Sequence, residues 1–271
     1  MIPTRTAYTR ARSLDEALAA LADGARPIAG GMSLVPMMKL RLANPGSLVD
    51  LGGLADLRGI HRDGGDLVIG AMARHRDVAT SVLVRAEAAA VADAAGGVGS
   101  PAVRNRGTIG GSLAQSDPHG DLPATVLALG GSIEVRSASG GRTIAAADLS
   151  AGYMTTSLAE GELIVAVRIP AGARQSAYAK FHRRAIDWSI AGAAAVIRDG
   201  KVTVALTGMG SGPLRATAFE SLVNDGGSLE DAARHAGDGT HPSEGLDGSA
   251  EYKRHLAGVL ARRATETARS R

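Results

Sequence analysis

The sequence predicts an α+β protein of more than one domain, and three observations carry that prediction. Turn dipeptides separate short apolar runs at Asp63-Gly64-Gly65, Gly140-Gly141 and Asp199-Gly200, the pattern of hairpins. The last third of the chain reads strands first and helices after, the order of an α+β domain. The pattern also changes near residue 57 and again at Ala171-Gly172-Ala173. These breaks predict one domain over 1–172, with subdomains of about 1–55 and 56–172, and a second domain over 173–271. A chain of 271 residues is long enough to bury a core in each.

Residues 13–21 read as an amphipathic helix. Ser13 and Glu16 make a capping box, Leu14, Ala17, Leu18, Leu21 and Ala22 keep the helical period, and Gly24 suits the C-terminal cap. A short strand at Ile28-Ala29 enters a glycine loop. Ser33 can cap a brief helix that begins at Leu34 and runs through Met38 to Leu42, and Val49-Asp50-Leu51 is another strand. Residues 57–61 and 67–71 form a hairpin, Asp77 can cap a helical turn, and 82–95 is one alanine-rich buried helix. A second glycine loop follows, then a short helix over 122–129 and a hairpin of 132–136 with 142–144. The run 163–169 ends at Pro170, as an outer strand does. Beyond 173, three strands are expected over 177–183, 189–197 and 201–206. Helices follow over 216–223, 229–235 and 250–268, with 237–248 a polar loop.

Composition removes several function classes. There is no cysteine, which excludes disulfides, thiolate metal sites and any iron–sulfur cluster held by this chain through Cys. No run approaches the about 18 apolar residues of a membrane span. The N-terminus lacks the apolar stretch of a signal peptide, so the expected compartment is the cytoplasm. Net charge is only +3, basic residues are scattered, and aromatics are sparse, which argues against a nucleic-acid partner. There is no strand-G-x-G-x-x-G-helix, no G-x-x-x-x-G-K-[ST] and no H-E-x-x-H, so neither a nicotinamide Rossmann domain nor a metal site is expected. His75, between Arg74 and Arg76, and His182, beside Arg183, read as surface or satisfied histidines.

Two stretches stand out. Ala29-Gly30-Gly31-Met32-Ser33-Leu34 and Thr108-Ile109-Gly110-Gly111-Ser112-Leu113-Ala114 each set two glycines before a serine or one residue short of it, between apolar flanks. Glycine admits positive φ and close approach of a ligand to main-chain N–H groups, and successive N–H groups make a nest for anions. With eight Gly-Gly pairs in the chain, the pair alone says little, and ordinary turns remain open for either loop. Two nests together suit a ligand with a pyrophosphate at its centre, a dinucleotide. Three of the seven aromatic residues, Tyr178, Phe181 and Trp188, fall close together. They form either a core seam or a cover for a large ring, and Trp188 has the area to shield a flavin face. Lys180 has apolar neighbours, so its charge needs a partner. A cation near a reduced flavin would stabilise its negative charge.

The flanks of these loops carry a resemblance. The run from Pro27 and Ile28 through Arg41, the run from Val103 to Ala114, and Gly248-Ser249-Ala250-Glu251-Tyr252-Lys253-Arg254-His255-Leu256 closely resemble the FAD-binding medium subunit of molybdenum hydroxylases, the carbon monoxide dehydrogenase and xanthine dehydrogenase type enzymes. The resemblance covers most of the chain, with both glycine motifs in order. It implies an FAD-binding fold of the vanillyl-alcohol-oxidase (PCMH) type with two subdomains, followed by a C-terminal domain with a three-stranded antiparallel sheet and helices.

Carried over residue by residue, the resemblance places Pro27, Ile28, Ala29, Gly30, Gly31, Met32, Ser33 and Leu34, with Thr108, Ile109, Gly110, Gly111 and Ser112, around the FAD pyrophosphate. It matches Asp121 to an acid that binds FAD hydroxyls, Val98 and Ile164 to apolar positions along the cofactor, Lys180 to a lysine close to the flavin, and Trp188 to an aromatic near the ring. Asp117 and Asp187 are further candidates, and Asp121 also suits a helix cap. Met32 and Gln115 depart from residues frequent in the family, which leaves substrate and acceptor undetermined. The implied cofactor is non-covalent FAD, with electron transfer inside a larger enzyme. A large molybdopterin subunit and a small [2Fe-2S] subunit would be partners, as a dimer of heterotrimers. A stand-alone flavin oxidase or reductase, a non-redox nucleotide-binding module and a structural partner remain as alternatives.

Overall fold

The computed structural model describes residues 2–271. At the N-terminal end, β1 (Ala7–Arg10), α1 (Leu14–Ala22), β2 (Arg26–Ile28), α2 (Leu34–Lys39) and β3 (Ser47–Asp50) build a parallel three-stranded sheet in the order β1-β3-β2. Ser13 caps α1 by accepting from the Glu16 amide at 3.1 Å. The Glu16 carboxylate accepts from the Arg12 amide at 2.7 Å, one residue before the amide that the capping box assigns to it. Gly24 takes φ +83° just past the helix, as expected of its cap. Helix α2 starts at Leu34 as expected, but Ser33 makes no side-chain capping bond. It also ends before Leu42, because Arg41 turns into the left-handed region at φ +61°.

The second subdomain carries β4 (Ile60–Asp63), β5 (Asp66–Gly70), α3 (His75–Thr80), α4 (Val82–Glu87), α5 (Ala89–Gly97), α6 (Pro101–Arg104), α7 (Ile109–Gln115), α8 (Asp121–Ala128), β6 (Ser132–Ser137), β7 (Gly140–Ala145), α9 (Ala146–Leu149), the small pair β8 (Ser150–Gly152) and β9 (Thr155–Thr156), and β10 (Leu163–Ile169). Its main sheet has the order β4-β5-β10-β6-β7. Strand β10 is therefore central, where an outer strand was expected. It pairs on both sides, up to Ile169 opposite Leu67, and Pro170 simply stops it. The single helix expected over 82–95 is two, broken at Ala88 (φ −146°, ψ 62°). The break costs little because the buried Ser176 hydroxyl, 86 residues away, accepts the Ala90 amide at 3.1 Å.

The C-terminal part adds β11 (Ser176–Phe181), β12 (Ala191–Arg198), β13 (Lys201–Thr207), β14 (Leu214–Arg215), α10 (Thr217–Asn224), α11 (Leu229–Ala233) and α12 (Ala250–Arg269). The antiparallel sheet β11-β12-β13-β14 has four strands against the three expected. The added strand is two residues long and follows Pro213, too short for a periodicity signal. Helix α12 buries Leu256, Leu260, Ala261 and Ala264 with Ala193, Val204 and Leu206 of the sheet. Ala194, Val196 and Ala205 join the core of the second subdomain, with α5 and α8 against this sheet. Strand β10 also serves two cores. Leu163 and Val165 join the N-terminal cluster around Leu18 and Val49, while Ile164, Val167 and Ile169 join the central one. The two subdomains thus meet at a strand whose first residues also line the site.

Candidate functional site: a cleft between two glycine motifs

The two glycine motifs, distant in sequence, touch. A Cβ on Gly30 would fall 2.7 Å from the Arg106 carbonyl carbon and 2.8 Å from Gly107 Cα, so only glycine lets the first loop seat against the second. Beside this contact opens a cleft of about 340 Å³. Its walls include Pro27, Ile28, Ala29, Gly30, Gly31, Met32, Ser33 and Leu34 on one side, and Thr108, Gly110, Gly111 and Ser112 on the other, with Ile164 from β10. A larger groove of about 1000 Å³ lies elsewhere, rimmed by Arg62, Arg85, Arg174 and Arg271. It receives neither motif, and its acids Glu87 and Asp93 already pair with Arg62 and Arg271. The smaller cleft is therefore the candidate site.

The motifs are not equivalent, although the sequence reads both as nests. In the first loop only Gly31 takes a positive φ, +73°. From Gly30 to Leu34 no backbone N–H meets an acceptor among the described residues. Five successive donors are thereby left for a ligand or solvent. The second motif is the start of helix α7, and its amides from Ile109 to Ser112 are spent. Ile109 N–H reaches Ala73 O at 3.1 Å, Gly110 N–H reaches Ala71 O at 2.9 Å, and Gly111 N–H reaches the capping Thr108 hydroxyl at 3.1 Å. Ile109 itself is buried in the core. The glycines serve packing here: a Cβ on Gly110 would lie 2.6 Å from that of Ala71. The second motif therefore offers the cleft hydroxyl groups, from Thr108 and Ser112.

His75 was missed. It is 3 % exposed, lines the cleft, and sets Nε2 3.2 Å from the Ser112 hydroxyl, while its Nδ1 is buried with no partner among the described residues. Burial, then the nearby Arg104 guanidinium, lowers its pKa to about 4. The flanking arginines mislead because helix α3 rotates Arg76 outward and puts His75 on one face with Val78. A His three residues before a buried Val was the available signal. The surface reading thus fails for His75, whereas His182 is half-buried, with its Nδ1 lacking a partner among the described residues.

Several other candidates lie outside the cleft. Lys180 does find the partner that its setting demands. Its Nζ donates to Asp121 Oδ2 at 2.9 Å and to Gly97 O at 2.7 Å, with both side chains buried. Asp121 Oδ1 also accepts from the hydroxyls of Tyr178, at 2.7 Å, and Ser189. Burial, then the Asp121 charge, pushes the Tyr178 phenol well above its ordinary pKa. This network ties α5 and α8 to β11 and to the loop that leads into β12. Val98 is half-buried next to Gly97, its carbonyl held by Arg104 at 3.0 Å. Asp117 accepts from the His119 amide at 2.9 Å in a turn. The three clustered aromatics part company. Tyr178 enters the network, Phe181 packs edge-on to Tyr252 at 6.4 Å, and Trp188 is 60 % exposed in the loop after β11 that also holds Asp187.

Known proteins share this architecture. The family model for the FAD binding domain in molybdopterin dehydrogenase matches residues 4–172, and that for the CO dehydrogenase flavoprotein C-terminal domain matches residues 176–268. The carbon monoxide dehydrogenase medium chain of Hydrogenophaga pseudoflava is 38 % identical, over 100 % of this chain and 99 % of that one. The glyceraldehyde dehydrogenase medium chain of Sulfolobus acidocaldarius is 34 % identical, over 97 % and 98 % respectively. Among solved structures, carbon monoxide dehydrogenase from H. pseudoflava superposes with a TM-score of 0.94 at 38 % identity, covering 100 % of this chain and 99 % of that chain. Quinoline 2-oxidoreductase from Pseudomonas putida superposes with a TM-score of 0.93 at 31 % identity, with the same coverage. Sequence along the whole length and fold agree: the chain belongs to the family of FAD-binding medium subunits of the molybdenum hydroxylases, the carbon monoxide dehydrogenase type among them.

Proposed function

We propose that this chain is the electron-transfer flavoprotein of a molybdenum hydroxylase, holding non-covalent FAD in the cleft between its glycine motifs. In this reading it takes electrons from the [2Fe-2S] clusters of a small subunit and passes them to an external acceptor. A large molybdopterin subunit completes a heterotrimer, two of which associate. Residues 1–172 are assigned to the cofactor domain and 173–271 to the C-terminal domain. The observation that carries the proposal is the juxtaposition itself, a run of amides from Gly30 to Leu34 without acceptors among the described residues, lining one cleft with Thr108 and Ser112.

The residues present fit the group. A diphosphate needs donors without a competing carboxylate, and no Asp or Glu among the described residues lines this cleft. Ile28, Leu34 and Ile164 supply apolar wall. FAD, when bound, supplies the exchange of one or two electrons. The chain's part is to hold and screen it. Gly30 and Gly31 bring main-chain donors to the diphosphate, and Thr108 and Ser112 add hydroxyls. Asp121, Lys180, Val98, Asp117 and Trp188 are assigned to the rest of the cofactor by the family resemblance. Lys180 and Asp121 neutralise each other, so the buried pair carries little net charge.

The test is to co-express the chain with the genes that flank it and purify it by a tag on this chain. The proposal expects one flavin per chain with molybdenum, iron and two further polypeptides. Flavin without partners would identify a stand-alone flavoenzyme, and a colourless chain that takes up no FAD would end the flavin reading.

A further inference from the structure

The ring of His75 is held tightly. Its backbone amide donates to Gly107 O at 3.0 Å, and a Cβ on Gly107 would sit 2.7 Å from the ring Cδ2. The ring is neutral at physiological pH, since burial holds its pKa near 4, so it carries one proton on one nitrogen. A proton on Nδ1 would be a buried donor with no acceptor among the described residues. It would also make Nε2 an acceptor, drawing the Ser112 proton towards the ring and away from the cleft. A proton on Nε2 leaves Nδ1 as an unpaired acceptor, a lesser cost than an unpaired buried N–H. The ring then donates to Ser112 Oγ across 3.2 Å, and the serine keeps its own proton.

We infer that His75 is a positioning residue for the diphosphate: Nε2–H donates to Ser112 Oγ and so orients that hydroxyl as a donor to a phosphate oxygen. The role matters because the amides from Ile109 to Ser112 are already spent, leaving the hydroxyls as the main polar contribution of the second motif to the cleft. This inference rests on the reading of the cleft as an FAD site.

The test titrates FAD into the full-length apoprotein and follows flavin fluorescence. Ser112→Ala should raise the dissociation constant roughly 10- to 150-fold, the worth of a hydrogen bond to a charged group. His75→Leu should weaken binding by a similar factor only while Ser112 is present, so the double variant should bind no worse than Ser112→Ala. His75→Gln, whose amide nitrogen can replace Nε2–H, should stay within about threefold of wild type, less than the loss of a hydrogen bond to a charged group. Additive losses, a silent His75→Leu, or a Gln variant as weak as the Leu variant would each overturn the inference while wild type still binds FAD. Should His75→Leu fail to fold, ¹⁵N NMR of the wild-type ring decides, since an Nδ1–H tautomer contradicts the role and an Nε2–H tautomer supports it. A wild-type chain that binds no FAD is a different failure, that of the flavin reading, and takes this inference with it.

Discussion

Gly30→Ala tests the contact on which the cleft is built. The new Cβ would lie 2.7 Å from the Arg106 carbonyl carbon and 2.8 Å from Gly107 Cα. Carbon atoms rest about 3.5–4.0 Å apart, so one loop must retreat by about 1 Å. Overpacking of this size costs about 1–3 kcal/mol. The free chain can relieve it by parting the loops. Bound FAD needs both loops at once, so the cost returns on binding, as about a 5- to 150-fold rise in the dissociation constant. Fluorescence titration of apoprotein with FAD reads this directly, beside a thermal melt. Gly46→Ala is the control, because its Cβ meets nothing within 4 Å and its backbone is not left-handed. Unchanged FAD affinity and melting temperature in Gly30→Ala would refute the claim that the loops must touch to form the site.

Acid should weaken the apoprotein through His75. Its folded pKa of about 4 lies below the unfolded value of 6.5, so the unfolded chain binds more protons between those limits. Stability is full above pH 6.5, falls as pH drops towards 4, and loses nothing further from this group below that. At about 1.4 kcal/mol per pH decade the loss is about 3 kcal/mol, and urea melts of wild type against His75→Gln should show it as a missing slope. Lys180→Met strips the buried Asp121 of its counter-charge and should cost about 3–5 kcal/mol in a denaturant melt. In the flavin-loaded protein, the same change should move the flavin potential downward in a spectroelectrochemical titration. Ser176→Ala orphans the Ala90 amide at the start of α5 and should cost about 1–3 kcal/mol, with faster hydrogen exchange along that helix.

Much of this was legible from local chemistry. The Ser13 cap, the Gly24 stop and the hairpin at Asp63-Gly64-Gly65 are written in residues that touch their own neighbours. The features that escaped depend on distant partners. One expected helix splits at Ala88 because Ser176 supplies a cap from another strand. The residues of β10 do not say whether it is central or outer, since that is decided by β5 and β6 on either side. At the site, the motifs were visible but their chemistry was not. Gly110 and Gly111 suggest a loop by propensity, yet they open a helix capped by Thr108, and position 110 is glycine because Ala71 leaves no room for a side chain. His75 looked solvated beside two arginines, but the helix turns Arg76 outward and His75 inward.

Strand β10 has a practical consequence. It hands Leu163 and Val165 to the N-terminal core, so residues 1–55 borrow part of their interior from a segment more than a hundred positions downstream. Severed from it, that piece would expose an unfilled apolar seam and could not stand as an autonomous module. Heating should accordingly dismantle both subdomains in a single cooperative step, and an engineer wishing to graft the cofactor pocket onto another scaffold must carry the late strand along with the early loops.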